Sequence, residues 1–164
     1  MKQFLLIPII LSTFILGFLV NSAFSYSNSI KELPFNSLFS KNYEKESPSD
    51  FIKEEDIQVF PDKIIILVNN AKISSFEDTN SMDPLLDINH NGIEVNADCN
   101  KLEKGDIIAY KANWIDAIVI HRIIEINKDN EGIYFTTKGD NSNINDPQKI
   151  RCSNIKSKLV GVIY

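Results

Sequence analysis

The chain is poor in cysteine and has no excess of basic charge, and each shortage removes a class of function. Two cysteines, Cys99 and Cys152, among 164 residues are too few for a disulfide-built scaffold and lack the repeated spacing of a metal module. A single pairing in an extracytoplasmic domain and two unpaired thiols both stay open. A formal net charge of −5 leaves no basic footprint, so nucleic acid is not an expected partner. No internal repeat is visible, which argues against a solenoid or an array. The length allows one domain and an appendage, at about 100–200 residues per domain.

What the chain does have begins at its N-terminus. Phe4 to Val20 (FLLIPIILSTFILGFLV) is uncharged, and no charge follows until after Ile30. As a helix, Phe4 to Phe24 would extend about 31 Å at roughly 1.5 Å per residue, the thickness of a hydrocarbon core of about 30 Å. Lys2 and the terminal amine precede it, so the positive-inside bias puts the N-terminus in the cytoplasm and the remainder outside. The competing reading is a cleavable signal peptide, with small residues at Ala23 and Ser25 around a cleavage site. The run is longer than the roughly 7–15 residues of a signal core, which favours a retained anchor over residues 1–25. Either reading exports the rest of the chain.

Residues 26–61 are polar, with Pro34, Pro48 and the mixed-charge run KNYEKESPSDFIKEED. They show no sustained period and read as a membrane-proximal tether. From residue 62 the pattern becomes short β-like runs between turn residues. These are Ile64 to Val68, Asp106 to Lys111, Ala117 to Ile126, Ile133 to Lys138 and Leu159 to Tyr164. With no helical pattern between them, residues 62–164 are expected to form a mainly β, antiparallel domain.

Three segments carry chemistry-capable side chains. In Thr79-Asn80-Ser81-Met82-Asp83-Pro84, Pro84 biases Asp83 toward extended backbone, so Ser81 is expected on a rigid extended loop. A serine near a proline is most often just a turn residue. His121 lies inside the apolar run Ile118 to Ile126, where a neutral imidazole can serve as a general base or sit as a satisfied core histidine. Lys138-Gly139-Asp140-Asn141 through Asn145-Asp146-Pro147 is a turn after a strand. It offers two carboxylates, Asp140 and Asp146, either of which could orient a histidine.

Taken together, SMDP, GDIIAY, IVIHRI and TKGDNSNINDP occur in the order and approximate spacing of the signal peptidase I motifs. Their form resembles the archaeal and endoplasmic reticulum branch, which has histidine where most bacterial enzymes have lysine. The resemblance covers about Ile64 to Tyr164, and the N-terminal anchor in kind. It implies a membrane-bound serine endopeptidase that removes signal peptides from preproteins, with no cofactor and no resident metal. By position, Ser81 resembles the nucleophile, His121 the general base and Asp146 the acidic third member, with Asp140 a second important carboxylate. Met82 resembles the residue shaping the pocket beside the serine, and Thr79 the hydroxyl that assists the oxyanion hole. Two features depart from the family pattern: a longer stretch between SMDP and GDI, and Asn80 where glycine is frequent.

Asp87-Ile-Asn89-His-Asn91-Gly92 with Asp98 matches part of the calcium-loop template, whose alternate oxygen ligands and glycine suit a hard cation. Asp98 replaces the bidentate glutamate, and no helix pattern flanks the loop, so a polar turn is the simpler expectation. The reading from another class is a catalytically inactive, membrane-anchored β-domain that binds a partner, with calcium in that loop. A self-cleaving repressor-type protease is a third reading, opposed by His121 and the anchor.

Overall fold

Runs of isoleucine and valine become strands wherever a turn residue lets the chain reverse. The computed structural model describes residues 45–164, and within them eight strands form: β1 (Ile57–Val59), β2 (Ile64–Ile66), β3 (Lys72–Ser75), β4 (Asn91–Val95), β5 (Ile107–Lys111), β6 (Ile118–Asp129), β7 (Gly132–Lys138) and β8 (Ile155–Ile163). Three short 3-10 turns, Glu54–Asp56, Cys99–Lys101 and Cys152–Asn154, are the only helical elements among the described residues. The expected anchor lies outside the described residues. Within them no helix is long and apolar enough to cross a membrane.

Every strand pairing is antiparallel. β1 and β2 form a separate two-stranded sheet, and the other six form one sheet in the order β3-β4-β8-β5-β6-β7. β6 and β7 are joined by a two-residue turn closed by the Asp129–Gly132 pair, with Gly132 at φ 109, where a side chain would be strained. The mainly antiparallel β architecture is the one the sequence pattern implies. β1, β3 and β4 were not legible in that pattern, and β4 takes Asn91 and Gly92 out of the calcium-type loop into a strand.

The middle of the large sheet, around β5, carries an apolar cluster on each face. Adjacent strand residues point to opposite sides, and Ile107 and Ile108 in β5 belong to different clusters. One contains Ile108, Tyr110, Ile123, Phe135 and Ile150; the other contains Met82, Leu86, Ile107 and Leu159. This is why β6 is β-branched at successive positions instead of alternating apolar with polar. A bulge between Ile123 and Glu125 interrupts the β6–β7 register, two residues beyond His121; such irregularities bend a strand and re-aim its side chains.

Residues 45–61, read from the sequence as the end of a tether, include β1 and a strap against the large sheet. The Ser49 N–H and hydroxyl both donate to Asp106 Oδ1 at 2.8 Å, and Arg122 Nη1 donates to the Glu46 carbonyl at 3.1 Å. Gly105 makes the approach possible: a Cβ there would lie 2.1 Å from the Ser47 carbonyl oxygen. Cys99 and Cys152 are joined by a disulfide across 53 residues of sequence. On a chain-entropy model, closing a loop of that length stabilises the fold by about 4 kcal/mol.

Candidate active site

His121 and Arg122 are neighbours on β6, so their side chains leave the sheet on opposite sides. His121 pairs with Ile108 and Val119 with Tyr110 across the β5–β6 ladder, while Thr137 on β7 pairs with Ile123. Alternation therefore puts His121, Tyr110 and Thr137 on one face. The loop after β7 returns to that face. The Asp146 N–H donates to the Thr137 carbonyl at 2.9 Å, and Pro147 restricts the backbone just after it.

Asp146 meets His121 directly. Imidazole Nδ1 lies 2.8 Å from Asp146 Oδ2 and 3.0 Å from Oδ1. The Tyr110 hydroxyl donates to Oδ2 at 2.7 Å, and the Thr137 hydroxyl does so at 2.6 Å. Burial alone would raise the Asp146 pKa. The hydrogen bonds from His121, Thr137 and Tyr110 outweigh it and hold the carboxyl below its ordinary value. An ionised carboxylate only accepts, so the facing Nδ1 carries the proton. Nε2 then holds the free lone pair, and among the described residues no hydrogen bond occupies it. Burial and the Asp146 charge push the Tyr110 phenol far above its usual value, despite an opposing contribution from Thr137. Tyr110 therefore remains a donor.

Ser81 reaches the same place from another direction. A Cβ on Gly139 would lie 2.5 Å from the Ser81 carbonyl oxygen and 3.0 Å from His121 Nε2, so both groups crowd one glycine. Asn141 fastens the two loops together: its N–H donates to the Ser81 carbonyl at 2.9 Å, and its side-chain amide donates to the Asn80 carbonyl at 2.9 Å. No hydrogen bond joins the Ser81 hydroxyl to His121 Nε2. That hydroxyl lies 3.2 Å from the Thr79 hydroxyl. Catalytic hydrogen bonds are often long in a ligand-free site and tighten only with substrate bound.

The extended loop expected at Ser81 is instead a turn. The Met82 carbonyl accepts from Leu85 N at 2.9 Å and Leu86 N at 3.1 Å, because Met82 and Leu86 are pulled together into the second core cluster. Asn80 adopts φ 55, a left-handed conformation that asparagine tolerates better than most residues. This conformation accounts for asparagine at a position that a bulkier or β-branched residue would strain. Met82 is buried, and its sulfur accepts from the Asp140 N–H at 3.3 Å.

Asp140 does not reach the histidine. Arg122 takes it in a two-pronged pair, Nε to Oδ1 at 2.8 Å and Nη2 to Oδ2 at 2.6 Å, the geometry that makes arginine–carboxylate pairs strong. This pair lies directly beside Gly139 and stiffens the loop that holds Ser81. Tyr110, Thr137, Arg122 and Gly139 were not singled out from the sequence. No role in the site was assigned to them, although Tyr110 ends GDIIAY, Thr137 opens TKGDN, Arg122 follows the histidine and Gly139 makes the acidic turn.

The calcium-type residues are used locally. Asp87 Oδ1 accepts from Ile88 N at 2.7 Å, His90 Nδ1 accepts from Asp87 N at 3.1 Å, and Asp98 caps the Cys99–Lys101 turn through Asn100 N. Among the described residues no set of three or more His, Cys, Asp or Glu side chains gathers as a metal site.

No protein-family model matches the chain. Over 64 residues it is 33% identical to signal peptidase I W of Bacillus subtilis (strain 168). The matched stretch covers 39% of this chain and 33% of that relative, so the chain spans about a third of the relative's length. This partial similarity supports the signal peptidase family.

Proposed function

We propose that this chain is a membrane-anchored serine endopeptidase of the signal peptidase I type, of the serine–histidine branch, that cleaves signal peptides from exported preproteins. The observation that carries the reading is the His121–Asp146 pair, whose imidazole turns Nδ1 to the carboxylate and Nε2 toward the glycine against which Ser81 packs.

In this reading His121 Nε2 takes the Ser81 hydroxyl proton as the oxygen attacks the scissile carbonyl. Asp146 holds the imidazole tautomer and stabilises the imidazolium. His121 then returns the proton to the leaving amine, and water repeats the sequence on the acyl-enzyme. The Ser81 N–H and the Thr79 hydroxyl bind the developing oxyanion, and Met82 shapes the adjoining pocket. The substrate lies as an extended strand, with small side chains one and three residues before the cut and main-chain hydrogen bonds supplying sequence-tolerant affinity. Residues 1–25 anchor the enzyme with its catalytic domain extracytoplasmic. Enzyme and preprotein then share one membrane surface, which raises their effective concentration.

The test is cleavage of a fluorogenic precursor peptide ending in Ala-x-Ala before the cut, comparing wild type with Ser81→Ala and His121→Ala. Cleavage by wild type alone supports the reading; equal cleavage by both variants sinks it. The second reading is a catalytically inactive, membrane-anchored extracytoplasmic β-domain that binds a partner, with calcium in the loop at residues 87–98. That reading requires the wild type to be inert toward any such peptide.

A further inference from the structure

Asp146 Oδ2 is crowded. It accepts from Tyr110 at 2.7 Å, Thr137 at 2.6 Å and His121 Nδ1 at 2.8 Å, and both hydroxyl residues are 0% exposed. A carboxylate oxygen offers about two lone-pair sites, so three donors on one oxygen spread its charge and fix the plane of the group. The Thr137 hydroxyl has one proton. Its 3.2 Å approach to the Tyr110 oxygen is the longer and weaker branch of the same donor, whose shorter bond goes to Asp146.

We propose that Tyr110 and Thr137 are positioning residues for the reaction, clamping the Asp146 carboxylate against His121 and moderating how strongly it holds the imidazolium. The proposal deepens the peptidase reading and rests on it. The clamp has two separable consequences. Both carboxylate oxygens stay within reach of Nδ1, which fixes the ring with Nε2 over Gly139. The two hydroxyls also draw charge from the oxygen, which prevents the carboxylate from over-stabilising the protonated imidazole. A carboxylate relieved of one donor would keep the imidazole protonated to higher pH.

The titratable and charged groups around this pair are few. β5 supplies Tyr110. β6 supplies His121 and, on its far face, Arg122. The loop after β7 supplies Asp146, and Asp140 already paired with Arg122. The Ser81 turn supplies Asp83, whose Oδ1 is buried without a partner. Among the described residues only Tyr110 and Thr137 add hydrogen bonds to the histidine-bound carboxylate.

The experiment measures kcat, KM and the pH dependence of kcat/KM on the precursor peptide for wild type, Tyr110→Phe, Thr137→Val and Thr137→Ser. Losing one hydrogen bond to a charged acceptor is expected to lower kcat about 10- to 100-fold, with KM nearly unchanged. The acidic limb of the profile should move to higher pH in Tyr110→Phe and Thr137→Val. Thr137→Ser, which keeps the hydroxyl, should restore both. An unmoved acidic limb, or a serine variant as impaired as valine, would overturn the proposal in favour of packing alone.

A readout independent of turnover is the proton resonance of His121 Nδ1–H. It should move downfield in Tyr110→Phe, as the unshared carboxylate pulls harder on that proton, and an unmoved resonance would overturn the clamp. A wild type that fails to cleave, with the resonance still moving, would instead retire the peptidase reading and leave the hydrogen-bonded clamp standing.

Discussion

Two serine-bearing segments come down on the sheet over glycines, and they end in contrasting networks. Ser47 to Ser49 crosses Gly105 and meets Asp106 and Lys158; Ser81 crosses Gly139 beside His121 and Asp146. In the first region every group is used. Lys158 Nζ donates to the Ser49 hydroxyl at 2.6 Å and to Asp106 Oδ2 at 2.9 Å, and Glu103 N donates to the same carboxylate oxygen at 2.9 Å. Burial would raise the Asp106 pKa, but hydrogen bonds from Glu103, Lys158 and Ser49 hold it below its ordinary value. In the second region the network closes around the carboxylate and, among the described residues, stops at the imidazole with Nε2 open. A serine, a basic side chain and an aspartate occur in both places. What separates a structural latch from a candidate active site is an imidazole nitrogen that, among the described residues, has no partner beside a hydroxyl-bearing turn.

The sharpest way to break the comparison is to delete each serine hydroxyl. On the peptidase reading, Ser81→Ala should lower precursor-peptide turnover by up to about 10⁶, as loss of the nucleophile does in subtilisin, with an unchanged urea midpoint. Ser49→Ala should leave kcat intact and cost about 1–3 kcal/mol of stability, since Asp106 and Lys158 each lose a buried partner. Equal effects of the two variants on turnover would erase the distinction.

Next come the carboxylates. Asp146→Asn should cut kcat on the order of 10⁴, by favouring the wrong imidazole tautomer. Asp106→Ala strands a buried Lys158 and should cost about 3–5 kcal/mol in urea unfolding, while the folded fraction keeps its turnover. The glycines give a smaller contrast. Gly139→Ala should push Ser81 away from His121 and reduce kcat more than tenfold, on the general sensitivity of catalysis to small misplacements. Gly105→Ala, at φ 99, should show its effect in stability, about 1–3 kcal/mol.

Acid should blur the contrast. The Asp106 and Asp146 pKa values are both depressed on folding, so each contributes stability that is present above the unfolded value, about 3.9, and is lost as pH falls through the folded value. Unfolding midpoints should therefore drop below about pH 4, and drop less steeply in Asp106→Asn. A pH-independent midpoint from pH 6 to pH 2 would contradict this.

Much of this was legible in the residues themselves. β5, β6, β7 and the end of β8 announce themselves as β-branched runs between turn residues, because that composition suits a pleated, buried surface. β3 and β4 do not: Lys72–Ser75 and Asn91–Val95 carry polar residues that only their neighbours make into strands. Glu94, for example, is held by the Ser74 and Ser157 hydroxyls of the flanking strands. The candidate site was legible as a set of residue types in a family order, which put Asp146 in the third place but did not exclude Asp140.

By itself, the sequence determined the β class, the candidate serine and histidine, and the apolar segment at residues 4–24, because these depend on composition and local period. The tertiary structure alone decided that Asp146 bonds the imidazole while Arg122 claims Asp140, that Tyr110 and Thr137 converge on one carboxylate oxygen, and that Cys99 reaches Cys152. Each of those is a contact between distant parts of the chain. It depends on which face of a strand a side chain leaves and where a returning loop sets it down, and only the assembled sheet specifies both.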